Sequence, residues 1–171
     1  MMPGNRDTDT AAPIRRVVFV CWGNICRSPM AERVAAKYFA EHGLGDVELT
    51  SAATSREEIG NPIDPRAVRE LEKAGYDASN HAAHQITRDE IDARDLVVAM
   101  EDIHLERMRD IYGGELPDHV VLLTDHDPQA NPGDGVPDPW YGGQDGFVTT
   151  LAKMERAMPG LADAVRTIKQ S

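Results

Sequence analysis

The sequence predicts an α/β fold, a single-domain, doubly wound, four-stranded parallel sheet of strand order 2-1-3-4 with helices on both faces. Short apolar runs alternate with helical patterns along the chain, which is typical of parallel strands joined by right-handed crossovers. The runs are continuously apolar, as in strands that are covered on both faces. With 171 residues and no visible repeat or linker, one domain is expected.

The first strand is predicted from Arg16 to Val20, which is an apolar, β-branched run. Ser28 is expected to cap the following helix, with Pro29 at its first position. Apolar residues then recur at helical spacing as far as Gly43, which favours a helix end. Residues 47–51 read as a short second strand.

A loop is predicted over residues 52–63 because Gly and Asn-Pro interrupt the pattern there. Asp64 and Pro65 then repeat the combination of a cap and a proline. They predict a second helix that ends at Gly75.

After an irregular stretch at 81–86, residues 87–90 have the spacing of a capping box and start a short helix. The third strand is predicted over 95–100, and a helix over 102–112 follows it. The fourth strand is predicted over 120–123.

The segment 124–146 is rich in Pro, Gly and Asp, and loops of this length are usually functional or disordered. The last segment, 147–169, is amphipathic and predicts a helix. Pro159 and Gly160 lie inside it, and we expect them to kink or split that helix.

The candidate functional loop leaves the first strand at Cys21 and reaches a helical pattern after Arg27. Amides of such a loop and of a helix N-terminus bind anions because they have no intrahelical partner. The guanidinium of Arg27 can pair two oxygens of a phosphate. The same surroundings stabilise a thiolate, which is the nucleophilic form of cysteine. A thiolate and a phosphate in one cradle indicate attack on phosphorus.

Hydrolysis of a phosphate monoester through a thiolate also needs an acid for the leaving oxygen. Asp138 is the candidate because Pro137 and Pro139 restrict its backbone. Trp140 and Tyr141 follow it and offer walls for an aryl ring. The same loop holds four weaker rivals for the acid, Asp125, Asp127, Asp134 and Asp145.

Charge and composition exclude several classes of protein. The formal net charge of −11 argues against nucleic acid and anionic membrane as partners. No run approaches transmembrane length. The two cysteines, Cys21 and Cys26, form neither a disulfide framework nor a zinc-binding pattern, so no metal or cofactor is expected.

The first residues lack a signal peptide's apolar core. We therefore expect a disordered leader over 1–13 and a folded domain over 14–171, in a cytoplasmic protein. Export without a signal peptide stays open at this point.

The sequence at 21–32 resembles the active-site loop of the low-molecular-weight protein tyrosine phosphatases. Further matches to this family lie at 51–55, at 58–62 and in the Asp-Pro-aromatic-Tyr motif at 138–141, and the similar region spans roughly 17–161. The resemblance implies a metal-independent enzyme that hydrolyses phosphotyrosine in proteins through a cysteinyl-phosphate intermediate. It also implies inhibition by inorganic phosphate and other oxyanions.

The resemblance assigns Cys21 as the nucleophile, Arg27 as the phosphate clamp and Asp138 as the general acid. Ser51 and His81 match a family network that supports the loop. The remaining residues of the predicted phosphate-binding loop are Trp22, Gly23, Asn24, Ile25, Cys26 and Ser28.

Two loop residues have further implied roles. Ser28 is expected to donate a hydrogen bond to the sulfur of Cys21 and so to assist its departure in the second step. The resemblance also implies a reversible disulfide between Cys21 and Cys26 that protects the nucleophile from over-oxidation. The simpler interpretation of Cys26 is a small loop residue whose amide matters more than its sulfur.

Three residues at the substrate rim depart from the family pattern. Glu57 stands where an aromatic residue is frequent, Trp22 is bulkier than usual, and Trp140 replaces the first tyrosine of the pair that ends at Tyr141. We expect catalysis to persist and peptide preference to shift. The carboxylate of Glu57 should disfavour acidic sequences around the phosphotyrosine.

Three other functions compete with tyrosine phosphatase activity. An arsenate reductase would need an exogenous thiol, because no cysteine lies outside the loop. A phosphoarginine phosphatase would be expected to carry Thr in place of Ile25. A catalytically silent phosphotyrosine-binding module would be expected to have lost Cys21 or Asp138, and both are present.

Overall fold

The structure is a computed structural model that describes residues 14–168. The predicted leader at 1–13 lies outside the described residues. The strands are β1 (Arg16–Cys21), β2 (Glu48–Ala53), β3 (Leu96–Ala99) and β4 (Val120–Leu122). The α-helices are α1 (Arg27–Glu41), α2 (Pro65–Lys73), α3 (Arg88–Ala93), α4 (Asp102–Tyr112) and α5 (Gln144–Arg166).

The four strands form one parallel sheet in the order β2-β1-β3-β4, which confirms the predicted fold class and strand order. The central strand β1 pairs with β2 on one side and with β3 on the other. Strand order therefore reverses beside β1. In such sheets, ligands bind beyond the carboxyl ends of the strands at this reversal.

Side chains of β1 alternate between two hydrophobic cores. Phe19 and Cys21 belong to the core under α1, α2 and α5, whereas Val18 and Val20 belong to the core under α3 and α4. All four are at most 2% exposed, as expected for a strand that is covered on both faces. Burying an aromatic or branched side chain of this kind stabilises the fold by roughly 1.5–3 kcal/mol. These two cores hold the end of β1 in a fixed place.

The first helix begins earlier than predicted. Its N-cap is Cys26, and the carbonyl of Cys26 accepts the amide of Met30 at 3.0 Å. The prediction of Ser28 as the cap was therefore wrong by one half-turn. The hydroxyl of Ser28 contacts the thiol of Cys21 and the amide group of Asn24 instead.

The caps of α2 and α3 are confirmed. The carboxylate of Asp64 accepts the amide of Arg66 at 2.8 Å, and Pro65 occupies the first helical position. The hydroxyl of Thr87 accepts the amide of Glu90 at 3.1 Å.

Helix α5 runs unbroken through Pro159, so of the two predicted effects of Pro159 and Gly160, a kink or a split, the split is wrong and the kink stays a prediction. A proline removes the hydrogen bond to the carbonyl four residues earlier, which belongs to Glu155. Pro159 and Glu155 are both exposed, so water can satisfy this carbonyl. Met158, next to the proline, is fully buried in the hydrophobic core that α5 shares with α1 and α2.

Gly160 has a packing role. A Cβ atom at this position would lie well inside van der Waals contact of the carbonyl oxygen of His126. His126 ends a short 3₁₀ turn, Leu123–His126, that follows β4. Only glycine lets α5 approach this turn so closely.

Within residues 14–168, no helix is both long and apolar enough to cross a membrane.

Candidate active site

The loop after β1 places Cys21 at the carboxyl edge of the sheet. Its side chain is almost fully buried. The amide of Asn24 donates to the sulfur at 3.3 Å, and the sulfur lies 3.0 Å from the hydroxyl of Ser28. The main chain thus curls around this sulfur, as the anion-binding interpretation of the loop requires.

The hydroxyl of Ser28 has one proton to donate. In the structure it donates to the carbonyl of Ala52 at 3.3 Å and accepts from the side-chain amide of Asn24 at 2.8 Å. The thiol of Cys21 donates to it as well. When Cys21 is a thiolate, a rotation of this hydroxyl can direct its proton to the sulfur instead.

Asn24 holds the loop in an uncommon conformation. Its φ is 62°, in the left-handed region, and the residue is fully buried. Its carbonyl accepts from Nε2 of His81 at 2.7 Å, and its side-chain oxygen accepts from the amide of His84 at 3.2 Å. Burial lowers the pKa of His81, so the ring is neutral and donates its single N–H to Asn24.

Ser51 lies on β2 and contacts α1. Its hydroxyl donates to Oε1 of Glu32 at 2.6 Å. Ser51 is thus bonded to α1, the helix that follows the loop, and not to the loop itself. Its role in supporting the loop stays a prediction.

Arg27 joins the loop to two other segments. Its side chain is only 3% exposed. Nη1 donates to the carbonyl of Val136 at 2.9 Å and forms a short ion pair with Glu101, just before α4. Nη2 lies 3.6 Å from Oδ2 of Asp138.

His104 lies behind the guanidinium of Arg27. It is fully buried, and its Nδ1 accepts the amide of Glu101 at 3.0 Å. Its Nε2 lies 3.4 Å from Arg27. Burial, together with the charges of Arg27 and Arg107, lowers the pKa of His104 to about 3. The imidazole is therefore neutral and adds no charge beside Arg27.

Asp138 lies on the long loop over 124–146 and lines the same pocket as Cys21. Its Oδ1 accepts the amide of Trp140 at 3.0 Å and caps a 3₁₀ turn over Pro139–Tyr141. Its Oδ2 is directed toward Arg27. The side chain is 37% exposed, so a substrate can reach it.

The loop that carries Asp138 is anchored to the sheet. The amide of Val136 donates to the carbonyl of Met100 at 2.7 Å, and the amide of Gly135 donates to the hydroxyl of Thr124 at 2.9 Å. At Gly135, φ is +74°, and a Cβ would crowd the carbonyl of Met100. The loop therefore has little freedom two residues before the candidate acid.

The rival carboxylates have other partners or positions. Asp127 binds Arg156 at 2.6 Å, Asp125 accepts the amide of Gly133, and Asp134 accepts the amide of Asn131. Asp145 lies in the first turn of α5. Asp138 lines the pocket and these four do not.

A pocket of about 330 Å³ opens above Cys21. Arg27 lines it with Cys21, and Trp22, Trp140 and Tyr141 supply aromatic surface. The structure therefore brings the predicted nucleophile, clamp and acid together. The other lining residues are Gly23, Ile25, Cys26, Glu57, Glu58 and Asp138.

The profile of the family described as "Low molecular weight phosphotyrosine protein phosphatase" matches residues 16–171. This chain belongs to that family.

Relatives and solved structures agree with this assignment. A low molecular weight protein-tyrosine-phosphatase of Streptomyces coelicolor is 45% identical over 154 residues, which cover 88% of this chain and 93% of the relative. Low molecular weight protein-tyrosine phosphatase A of Mycobacterium tuberculosis is 40% identical and covers 87% and 90%. The crystal structure of YfkJ from Bacillus subtilis is 29% identical, covers 92% and 98%, and has a TM-score of 0.83. The phosphatase family resemblance inferred from the loop is thus confirmed.

The second cysteine of this family member differs from the first in its surroundings. Burial raises the pKa of the Cys26 thiol, and the carboxylates of Asp64 and Asp138 and the neighbouring Cys21 raise it further. Cys26 therefore stays a thiol and is a poor nucleophile. Both cysteines are free, and the disulfide between them stays a prediction.

Glu101 and His104 were missed by the reasoning from sequence. A signal for Glu101 was present, because it lies two residues after the end of β3 and the carboxyl ends of parallel strands meet at one edge. No signal pointed to His104, since a histidine inside a helix is usually a core or surface residue. Its place beside Arg27 depends on how α4 packs.

Proposed function

We propose that this family member is a metal-independent protein tyrosine phosphatase that works through a cysteinyl-phosphate intermediate. One observation carries the proposal. Cys21 and Arg27 line the same pocket as Asp138, and Nη2 of Arg27 lies 3.6 Å from Oδ2 of Asp138. A nucleophile, a phosphate clamp and an acid are thus within reach of one phosphate ester.

In the first step, the thiolate of Cys21 attacks phosphorus and forms a P–S bond. The bond between phosphorus and the phenolic oxygen breaks, and protonated Asp138 donates its proton to that oxygen. Arg27 and the loop amides stabilise the charge on the non-bridging oxygens. The products are an unphosphorylated tyrosine side chain on the substrate protein and phosphocysteine at Cys21 of the enzyme.

In the second step, water attacks phosphorus and Asp138 accepts a proton from it. The P–S bond breaks, inorganic phosphate leaves, and the thiolate of Cys21 returns. The hydroxyl of Ser28, 3.0 Å from the sulfur, is placed to donate to the departing thiolate. Asn24, held by His81, supports the loop through both steps.

The aromatic residues suit an aryl phosphate. Trp22, Trp140 and Tyr141 line the pocket around Cys21 and offer aromatic surface to a phenyl ring. We therefore propose phosphotyrosine-containing proteins as substrates and inorganic phosphate and related oxyanions as competitive inhibitors. The cytoplasmic location and the domain boundary at residue 14 stay predictions.

The proposal is tested with p-nitrophenyl phosphate and a phosphotyrosine peptide in the presence of EDTA. The wild-type protein should turn over both without added metal, and Cys21→Ser should abolish turnover. Cys26→Ser is the comparison in the same loop and should lower turnover far less. Loss of activity on adding EDTA, or turnover by Cys21→Ser, would contradict the mechanism.

A second candidate substrate is phosphoarginine. The solved structure of the YwlE arginine phosphatase covers 89% of this chain with a TM-score of 0.79 and 28% identity. Ile25, 8% exposed, lines the pocket at the position where Thr is expected for phosphoarginine. Phosphotyrosine should be preferred by the wild type, and Ile25→Thr should move the preference toward phosphoarginine. Arsenate with an exogenous thiol belongs in the same panel, and we expect no catalytic reduction.

A further inference from the structure

Trp22, the wall of the pocket next to Cys21, is held in place by a residue outside the pocket. The guanidinium of Arg107 lies 4.3 Å above the ring of Trp22. Arg107 is itself fixed, because it donates to the hydroxyl of Thr54 at 3.2 Å and to its carbonyl at 3.1 Å. A stacked, anchored arginine of this kind restricts the indole.

The indole is also held at its edge. Nε1 of Trp22 donates to Oε1 of Glu57 at 3.2 Å. One hydrogen bond and one stacking contact therefore fix both the plane and the rotation of Trp22. The same hydrogen bond fixes the exposed carboxylate of Glu57 at the pocket mouth.

The mouth carries negative charge. Glu57, which is exposed, and Glu58, which is half-buried, both line the pocket. Among the residues that line the pocket, Arg27 supplies the positive charge, and it is buried beside Asp138 and Glu101. A phosphate at the base thus meets a cation, whereas residues next to the phosphotyrosine meet carboxylates.

Two arginines that stack on tryptophans of the pocket are engaged by other protein groups. Arg66 pairs with Asp64 through two hydrogen bonds of 3.0 Å, and its guanidinium lies between the rings of Trp140 and Phe147. Arg107 is engaged with Trp22 and Thr54. Neither of them lines the pocket, whereas Glu57 and Glu58 do.

We propose that the pocket mouth selects phosphotyrosine that is flanked by lysine or arginine, with Glu57 and Glu58 as the recognising groups and Trp22 as a fixed wall for the peptide. This inference rests on the proposed phosphatase function. Opposite charges at the rim favour binding, and like charges disfavour it.

The test compares two phosphotyrosine peptides of equal length, one with lysine and one with glutamate on both sides of the phosphotyrosine. At low salt, the wild type should show a kcat/KM about fivefold higher for the lysine peptide, as expected for exposed charge pairs. Glu57→Gln keeps an acceptor for Trp22 and should lower this ratio by about two- to threefold. Raising the ionic strength to roughly 1 M should lower it too, because salt screens exposed charges.

Glu72→Gln is the matched control, since Glu72 is an exposed carboxylate on α2 that does not line the pocket. It should keep the wild-type ratio and activity. Equal kcat/KM for both peptides in the wild type, or an unchanged ratio in Glu57→Gln, would overturn the inference. Failure to hydrolyse either peptide would instead contradict the phosphatase function.

Arg107→Met tests the clamp separately. Releasing Trp22 should raise KM for both peptides by more than it lowers kcat, because the wall contacts the peptide and not the reacting atoms. A fall in kcat with an unchanged KM would contradict the wall function of Trp22.

Discussion

The guanidinium of Arg27 donates to the main-chain carbonyl of Val136 at 2.9 Å, although the two residues are 109 positions apart. This bond joins the loop around Cys21 to the loop that carries Asp138 two residues later. The position of the proposed acid thus depends on the residue that is proposed to hold the phosphate.

Asp138→Ala should slow the hydrolysis of aryl phosphates, and the loss of rate should grow as the phenol becomes a poorer leaving group. A general acid typically contributes about 10²–10⁴-fold to the rate when the leaving group needs a proton. We expect a loss in this range for phenyl phosphate and a much smaller loss for p-nitrophenyl phosphate. The measurement is kcat across a series of substituted phenols. Equal losses across the series would remove Asp138 from the acid role.

Ser28→Ala should slow the second step more than the first. The variant loses the hydroxyl that lies 3.0 Å from the sulfur of Cys21, so the thiolate departs less readily from phosphocysteine. We expect kcat to fall by roughly tenfold, with a burst of phenol in stopped-flow traces. Addition of an alcohol that traps phosphoenzyme should raise kcat. A steady rate without a burst would argue that Ser28 acts on the first step.

His104→Asn should make folding stability less sensitive to acid. His104 has a pKa of about 3 in the folded protein against 6.5 when unperturbed, so the unfolded state binds more protons between these values. Its contribution is therefore present above about pH 6.5 and is lost as pH falls toward 3. Chemical denaturation at several pH values should show a shallower decline for the variant. A parallel decline would contradict the buried, neutral state of His104.

His84→Asn is a control in which the pH dependence of folding stability should change in the opposite direction. The hydrogen bond that Nε2 of His84 donates to the carboxylate of Glu90 raises the pKa of His84, so protonation stabilises the folded state. This contribution is present below the unperturbed value and is lost as pH rises through the folded pKa. His84→Asn should therefore lower stability on the acid side.

Gly160→Ala should destabilise the protein by about 3 kcal/mol, because the added methyl meets the carbonyl of His126 and not a flexible side chain. Gly45→Ala is the matched control, since its Cβ would meet only the Cα of Ala40 at 3.8 Å. Urea denaturation of both variants gives the comparison. Near-wild-type stability of Gly160→Ala would show that α5 can move away from the 3₁₀ turn without cost.

Much of the fold could be predicted because its signals are local. Continuous apolar runs marked β1, β3 and β4, whereas β2 mixes polar and apolar residues. The caps at Asp64 and Thr87 began helices where expected. The helix over Asp102–Tyr112 had the predicted bounds. Each of these depends on backbone preferences and on burial of the residues in that segment.

The errors have physical causes that lie outside the local sequence. Ser28 has the side chain of a typical helix cap, but its hydroxyl forms hydrogen bonds with groups of the loop around Cys21. Pro159 looks like a helix break, yet burial of the residues around it keeps α5 continuous. In both cases tertiary contacts outweighed a local preference of about 1–3 kcal/mol.

The sequence by itself predicted the chemistry, because the loop at 21–32 after an apolar strand matches the phosphatase family at many positions and places a cysteine and an arginine among free amides. It also determined the parallel sheet that brings strand ends to one edge. Only the tertiary structure decided which groups surround Arg27 and how Trp22 is clamped. Those contacts join segments far apart in the chain, and their existence depends on how whole helices and loops pack.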